Sequence, residues 1–315
     1  MSVKFALVFP GQGAQSVGMV EALAAEFPQI RARFTTASQV LGLDLWQLVS
    51  VGPAETLNQT QHTQPALLAA SIAIWDIWLS LGGPRPALMA GHSFGEYSAL
   101  VCAGALAFED AVTLVAARGQ LMQEAVSPGA GAMAAVLGLD LPALERVCAD
   151  AADSEIVECA NLNAPGQIVI SGSAGAVLRA SELAKTRGAK KVIPLAVSVP
   201  AHCALMLPAA RKFSELVSRI RFSPPEIPVI HNADVATHEQ AEQIRAALVA
   251  QLAQPVRWQA TIERFASEGV VQAFECGPGK VLGPLIRRCA SEITTSSLGT
   301  PPDLRGALAS LTIGN

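Results

Sequence analysis

The chain predicts an α/β fold, a mostly parallel sheet with helices on both faces that carries a second, smaller unit. Short apolar runs such as residues 5–9 and 87–90 alternate with helix-period segments, the pattern of strands buried on both faces. Between residues 128 and 198 the order becomes strand, helix, strand, strand, helix, strand. With 315 residues, 51% of them hydrophobic and 15% charged, the chain exceeds ordinary single-domain size and can fill a large core.

A buried strand at 5–9 runs into the tight loop Pro10-Gly11-Gln12-Gly13. Helical patterns follow over 17–26, 30–41 and 65–79. The apolar run 87–90 meets Gly91, and 96–103 and 110–125 then read as helices. In the inserted unit, 128–198, strands are expected at 131–137, 156–162, 167–171 and 191–198, and helices at 141–151 and 174–187. The turn Asn163-Ala164-Pro165-Gly166 joins the middle strands, and the βαββαβ order is ferredoxin-like. Residues 199–315 rejoin the large domain begun by 1–127. They supply a helix at 204–220, a short strand at 227–230, helices at 240–252 and 259–268, and a strand at 270–275 that enters Gly277-Pro278-Gly279-Lys280. From Ser291 the tail is rich in Ser, Thr, Gly and Pro until a last helix at 304–311, and no internal repeat appears.

Composition removes several classes of function. A net charge of −4 offers no electrostatic footprint for nucleic acid. The N-terminal apolar run is too short for a signal peptide, and the longest apolar segment, 66–79, is interrupted by Asp76 and falls short of a membrane span. The six cysteines are scattered without Cys-x-x-Cys spacing, so reduced thiols in the cytoplasm are expected. No His, Cys and carboxylate cluster has metal-ligand spacing, and no metal or cofactor is expected.

Chemistry concentrates at Gly91-His92-Ser93-Phe94-Gly95, a G-x-S-x-G pentapeptide between an apolar strand and a helical segment. Flanking glycines permit the crowded turn that lifts a serine hydroxyl clear, and the helix that starts there aims N–H groups at the same point. The bland alternative is a helix N-cap serine. A nucleophilic serine needs a base, and among five histidines His202 and His231 each follow a strand candidate, where α/β sites gather. Periodicity leaves both open. Arg118 is flanked one turn away by Leu114, Val115, Leu121 and Met122, so its guanidinium must find a partner. That partner is either a distant carboxylate of the protein or a carboxylate-bearing substrate, which arginine grips as a bidentate fork. Gly11-Gln12-Gly13 fails the dinucleotide fingerprint because Ser16 occupies the third glycine position. The loop is better read as an N–H donor to an oxyanion.

Taken together, Phe9–Gly13, Gly91–Tyr97, Arg118, Val199-Pro200-Ala201-His202 and Gly277-Pro278-Gly279 resemble the malonyl-CoA:acyl carrier protein transacylases of bacterial fatty-acid synthesis, from about residue 5 to 285. The resemblance implies an α/β-hydrolase-like large domain and an S-malonyltransferase using malonyl-CoA and phosphopantetheinylated acyl carrier protein, a cytoplasmic monomer without cofactor. It implies Ser93 as nucleophile, His202 as base and then acid, and Gln251 as the backbone carbonyl that orients the histidine. It further implies an oxyanion hole from the N–H groups of Gln12 and Phe94, and Arg118, with Met122 beside it, as the binding site of the malonyl carboxylate. Ala201 departs from the family, where serine is usual. Polyketide acyltransferases share these motifs, and a serine hydrolase or a non-catalytic acyl-binding scaffold are the other readings. An acidic carrier would have to be met locally, for which Lys190 and Lys191 beside Arg187 are candidates, with Arg287 and Arg288 as a second cluster.

Overall fold

The computed structural model describes residues 3–196 and 199–312. Among the described residues, nine strands lie in chain order at Phe5–Phe9 (β1), Leu88–Gly91 (β2), Gly131–Leu137 (β3), Val157–Ala164 (β4), Gln167–Ser173 (β5), Lys191–Pro194 (β6), Val229–Ile230 (β7), Gln272–Glu275 (β8) and Thr294–Ser297 (β9). They form two sheets. One is parallel throughout, in the order β7-β2-β1-β8-β9, and the other is antiparallel, in the order β4-β5-β3-β6. The fold is therefore the expected α/β arrangement with a ferredoxin-like unit, whose helices are Leu141–Ala152 and Ala174–Thr186.

β1 shows why the larger sheet is parallel and central. All five of its residues are buried, and alternate side chains enter opposite cores. Phe5, Leu7 and Phe9 join the core that includes the helix Thr60–Ser80, whereas Ala6 and Val8 join one built on the helices Trp258–Ser267 and Leu282–Cys289. The sheet thus needs cover on both faces. The loops after β1, β2 and β8 leave the carboxyl ends of adjacent parallel strands and converge on one crevice, the usual place for a ligand in such sheets.

The smaller sheet is stitched to this edge by backbone bonds. Leu162 N–H donates to the Val256 carbonyl at 2.9 Å, and Val256 N–H donates to the Ala160 carbonyl at 2.9 Å.

Several elements differ from expectation for local reasons. The first helix covers only Glu21–Glu26, because residues 16–20 turn first and Gly18 N–H is tied to the Val49 carbonyl. The helix expected from Pro65 begins at Thr60, with Pro65 inside it and Thr60, Thr63 and Gln64 buried. The segment expected as one helix at 204–220 opens with a 3₁₀ turn, Ala204–Met206, then continues as Leu207–Val217 with proline in its first turn. β4 runs through Asn163 and Ala164, so only Pro165 and Gly166 turn. β6 ends at Pro194, and Val197 and Ser198 of the expected strand lie outside the described residues. Helices at Leu45–Val51, Ala54–Leu57 and Leu282–Cys289 were not expected, and the polar tail supplies edge strand β9.

The helix Gly95–Cys102 lies so close to β1 that a Cβ at Gly95 would overlap the Phe9 carbonyl oxygen. Gly95→Ala should therefore cost about 2–4 kcal/mol, because backbone must move on one side or the other. Ser98→Ala, which removes a buried hydroxyl without a hydrogen-bond partner among the described residues, should be neutral or stabilising. Denaturant unfolding of both variants checks the pair; equal losses would contradict the close-approach argument.

Candidate active site

β2 ends at Gly91, and the chain turns through His92, Ser93 and Phe94 into the helix Gly95–Cys102. Ser93 has φ of 53°, a left-handed conformation that costs a residue with a Cβ and persists only when neighbours impose it. A Cβ on Gly91 would overlap the backbone of Gly95, so the turn closes only around glycine. Asn232 brackets it from outside. Its Oδ1 accepts from Ser93 N–H at 2.7 Å, and its Nδ2 donates to the Gly91 carbonyl at 2.6 Å.

Of the two histidines left open by sequence, His202 is the one beside Ser93. Its Nε2 lies 2.7 Å from Ser93 Oγ and its Nδ1 lies 2.8 Å from the Gln251 carbonyl. A carbonyl only accepts, so Nδ1 carries the proton and Nε2 offers its lone pair to the hydroxyl. Burial pushes the His202 pKa down to about 3, and the Arg118 cation adds to the effect. His231 instead donates through Nδ1 to the buried carboxylate of Glu96 at 2.6 Å. His92 turns to Asn163, His238 to Asp234 and His62 to the Thr56 carbonyl.

Arg118, 1% exposed, sits on the helix Phe108–Glu124 and makes no ion pair among the described residues. Its Nη2 donates to Gln251 Oε1 at 3.0 Å and to Ser93 Oγ at 3.3 Å, while its Nε has no partner among the described residues. Burial lowers its pKa, and Tyr97 and Glu96 raise it. A buried guanidinium with spare donor capacity, adjoining a serine hydroxyl, can receive an incoming carboxylate.

In front of Ser93 and His202 lies a cavity of about 210 Å³, lined on one side by Gly11, Gln12 and Leu282 and on the other by Met133 and Val169 of the smaller sheet and Leu195 just after β6. Gln12 directs its side chain to Thr60 Oγ1, 3.1 Å away. The N–H groups of Gln12 and Phe94 make no hydrogen bond among the described residues, as required of oxyanion donors. Met122 is buried one turn beyond Arg118 and does not line the cavity. Lys190 and Lys191 are exposed at the start of β6, the strand that leads to Leu195 at the cavity wall.

Sequence reasoning passed over Glu96 and Asn232, both buried at 1% exposure or less. The argument that singled out Arg118 applies equally to Glu96, an acid in the apolar segment Gly95–Cys102.

A histidine buried as a neutral base does not titrate in the physiological range. His202 should stay neutral from pH 8 to about pH 4, visible as unchanged ring ¹⁵N shifts. Its folded pKa lies below the unfolded value of about 6.5, so the unfolded chain binds the extra proton. The stability it supports is present above pH 6.5 and is lost as pH falls toward 3, at up to about 1.4 kcal/mol per pH unit. A ring titration centred near 6.5 would contradict the buried geometry.

Known proteins match this arrangement closely. The family model of the acyl transferase domain matches residues 6–283. The malonyl CoA-acyl carrier protein transacylase of Salmonella typhimurium is 52% identical over 305 residues, covering 97% of this chain and 99% of that one. The solved transacylase of Coxiella burnetii superposes with a TM-score of 0.98 at 49% identity, covering 99% of both chains. A malonyl-transacylase solved in complex with its type II PKS acyl-carrier protein superposes with a TM-score of 0.96 at 51% identity, over 98% of this chain and 99% of that one. On the strength of similarity that runs nearly end to end, the chain belongs to the acyl transferase family, among its malonyl CoA-acyl carrier protein transacylases.

Proposed function

We propose that the enzyme moves a malonyl group from malonyl-CoA to the phosphopantetheine thiol of acyl carrier protein through an acyl–Ser93 intermediate, supplying fatty-acid biosynthesis. The observation that carries this reading is the line from Ser93 Oγ through His202 to the Gln251 carbonyl, with Arg118 beside the hydroxyl. His202 Nε2 takes the Ser93 proton as Oγ attacks the thioester carbonyl, and the oxyanion is met by the N–H groups of Gln12 and Phe94. The Gln251 carbonyl stabilises the imidazolium through Nδ1–H. His202 then protonates the departing CoA thiol, and the same steps in reverse pass the malonyl group to the carrier thiol. A neutral carbonyl in place of a buried aspartate suits this substrate, because a thiol is a good leaving group.

Arg118 would exchange its neutral partner, Gln251 Oε1, for the malonyl carboxylate, and Met122 would back the same helix face. The reading includes a cytoplasmic monomer that needs no cofactor, in keeping with six free thiols. No helix among the described residues is long and apolar enough to cross a membrane. Lys190 and Lys191 would attract an acidic carrier toward the cavity mouth, whereas Arg187 is already paired with Asp150 and Arg288 with Gln167.

Intact-protein mass spectrometry with malonyl-CoA, followed by carrier protein, tests the central reading. A malonyl adduct should form, disappear on addition of carrier, and be absent in Ser93→Ala; an adduct on another residue overturns the assignment. Arg118→Ala should lose about 30-fold or more in malonyl-over-acetyl selectivity. Parallel loss of both activities with a large fall in Tm would instead mark Arg118 as structural. Charge reversal at Lys190 and Lys191 should raise KM for the carrier and leave self-acylation by malonyl-CoA unchanged.

A further inference from the structure

We propose that Glu96 is a positioning residue for this site, a buried carboxylate that anchors the side chain of Gln251, the residue whose amide oxygen meets Arg118 and whose backbone carbonyl meets His202. The inference rests on the malonyl-transfer reading and deepens it. Glu96 is wholly buried three residues after the nucleophile. Its Oε1 accepts from His231 Nδ1 at 2.6 Å, and its Oε2 accepts from Asn232 N–H at 2.9 Å and from Gln251 Nε2 at 2.8 Å. Gln251 Nε2 also donates to the Ser93 carbonyl at 2.9 Å. Both groups facing that amide nitrogen can only accept, so both N–H bonds are committed and Oε1 is left for the donor-only Arg118. The same residue presents its backbone carbonyl to His202 Nδ1. Gln251 therefore carries the acceptors of the base and of the arginine, and Glu96 determines which way its amide points.

Charge fits this role. Glu96 and Arg118 are opposite buried charges that form no ion pair with each other, and the Gln251 amide is hydrogen-bonded to both. Arg118 keeps a counter-charge nearby, yet its fork is not captured and stays available to a substrate carboxylate. The Glu96 carboxylate also fixes the proton of His231 on Nδ1 and holds Asn232, whose amide brackets the Ser93 turn.

Glu96→Gln preserves size but replaces one acceptor oxygen by an NH₂ and removes the buried negative charge, so it weakens the hold on the Gln251 amide and takes away the counter-charge near Arg118. Ser93 malonylation should slow about 10–100-fold in kcat with no rise in KM for malonyl-CoA, while endpoint Ser93 occupancy by intact mass stays complete. The double variant with Gln251→Leu should be no slower than Gln251→Leu alone, because both act along one path. Additive losses, a wild-type rate in Glu96→Gln, or a loss that tracks incomplete occupancy overturns the proposal. If Glu96→Gln does not fold, Gln251→Leu carries the test by itself, since a wild-type rate there also overturns it. Failure of wild-type protein to form a malonyl–Ser93 adduct would strike the functional reading instead, and is seen in the same spectra.

Discussion

The left-handed conformation of Ser93 is the constraint around which this site is built. A serine at φ of 53° does not rest there unaided, and its surroundings act together to hold it. Asn232 clamps the peptide groups before and within the turn, and Gln251 takes the Ser93 carbonyl. Glu96 in turn holds both Asn232 and Gln251. His202 has its own left-handed backbone, with φ of 63°, and its N–H is tied to the Leu252 carbonyl at 3.1 Å. The two residues that meet at 2.7 Å are thus both held in conformations that free chains avoid, and the hydroxyl and imidazole are positioned before any substrate arrives.

The electrostatics follow from the same enclosure. Burial in a low-dielectric site favours the neutral form of His202, and a cation nearby reinforces it. A base so weak would be a poor partner for a difficult bond. In the proposed transfer it would be adequate for a thioester, and it would leave the imidazolium short-lived, ready to return its proton to the departing thiol. Arg118 shows the complementary choice. Neutral amide and hydroxyl oxygens accept from it, and aromatic Tyr97 lies 5.9 Å from its carbon centre, so the cation is shielded without being neutralised.

Much of this was legible in the residues, and the reasons for the rest are specific. β1 and β2 could be read because strands buried on both faces must be apolar throughout, and the smaller unit because its periodicity changes in order. Edge strand β9 could not, since Thr294–Ser297 pairs on one side only and needs no apolar signature. The helix Leu282–Cys289 was hidden because its first turn is capped from outside: Glu275 accepts from Val281, Leu282 and Gly283 N–H, a bond set no local pattern reveals. Ser93 and Arg118 announced themselves by context, the first in its motif and the second as a charge in an apolar stripe. The choice between His202 and His231 rested on resemblance, because each follows a strand and only three-dimensional pairing separates them. Asn232 lay beyond reach for the same reason, its partners being 139 and 141 residues away.

The seam between the two sheets divides labour inside a single chamber. Ser93, His202 and Gln12 line it from the parallel layer, whereas Met133, Val169 and Leu195 form a wall contributed by the insert. These wall residues are apolar and take no part in the hydrogen-bond network that holds Ser93. Mutation can therefore resize the chamber without disturbing its reactive centre, as a mould is recut while the press behind it stays the same. A lineage built on this plan can change what it admits long before it changes what it does.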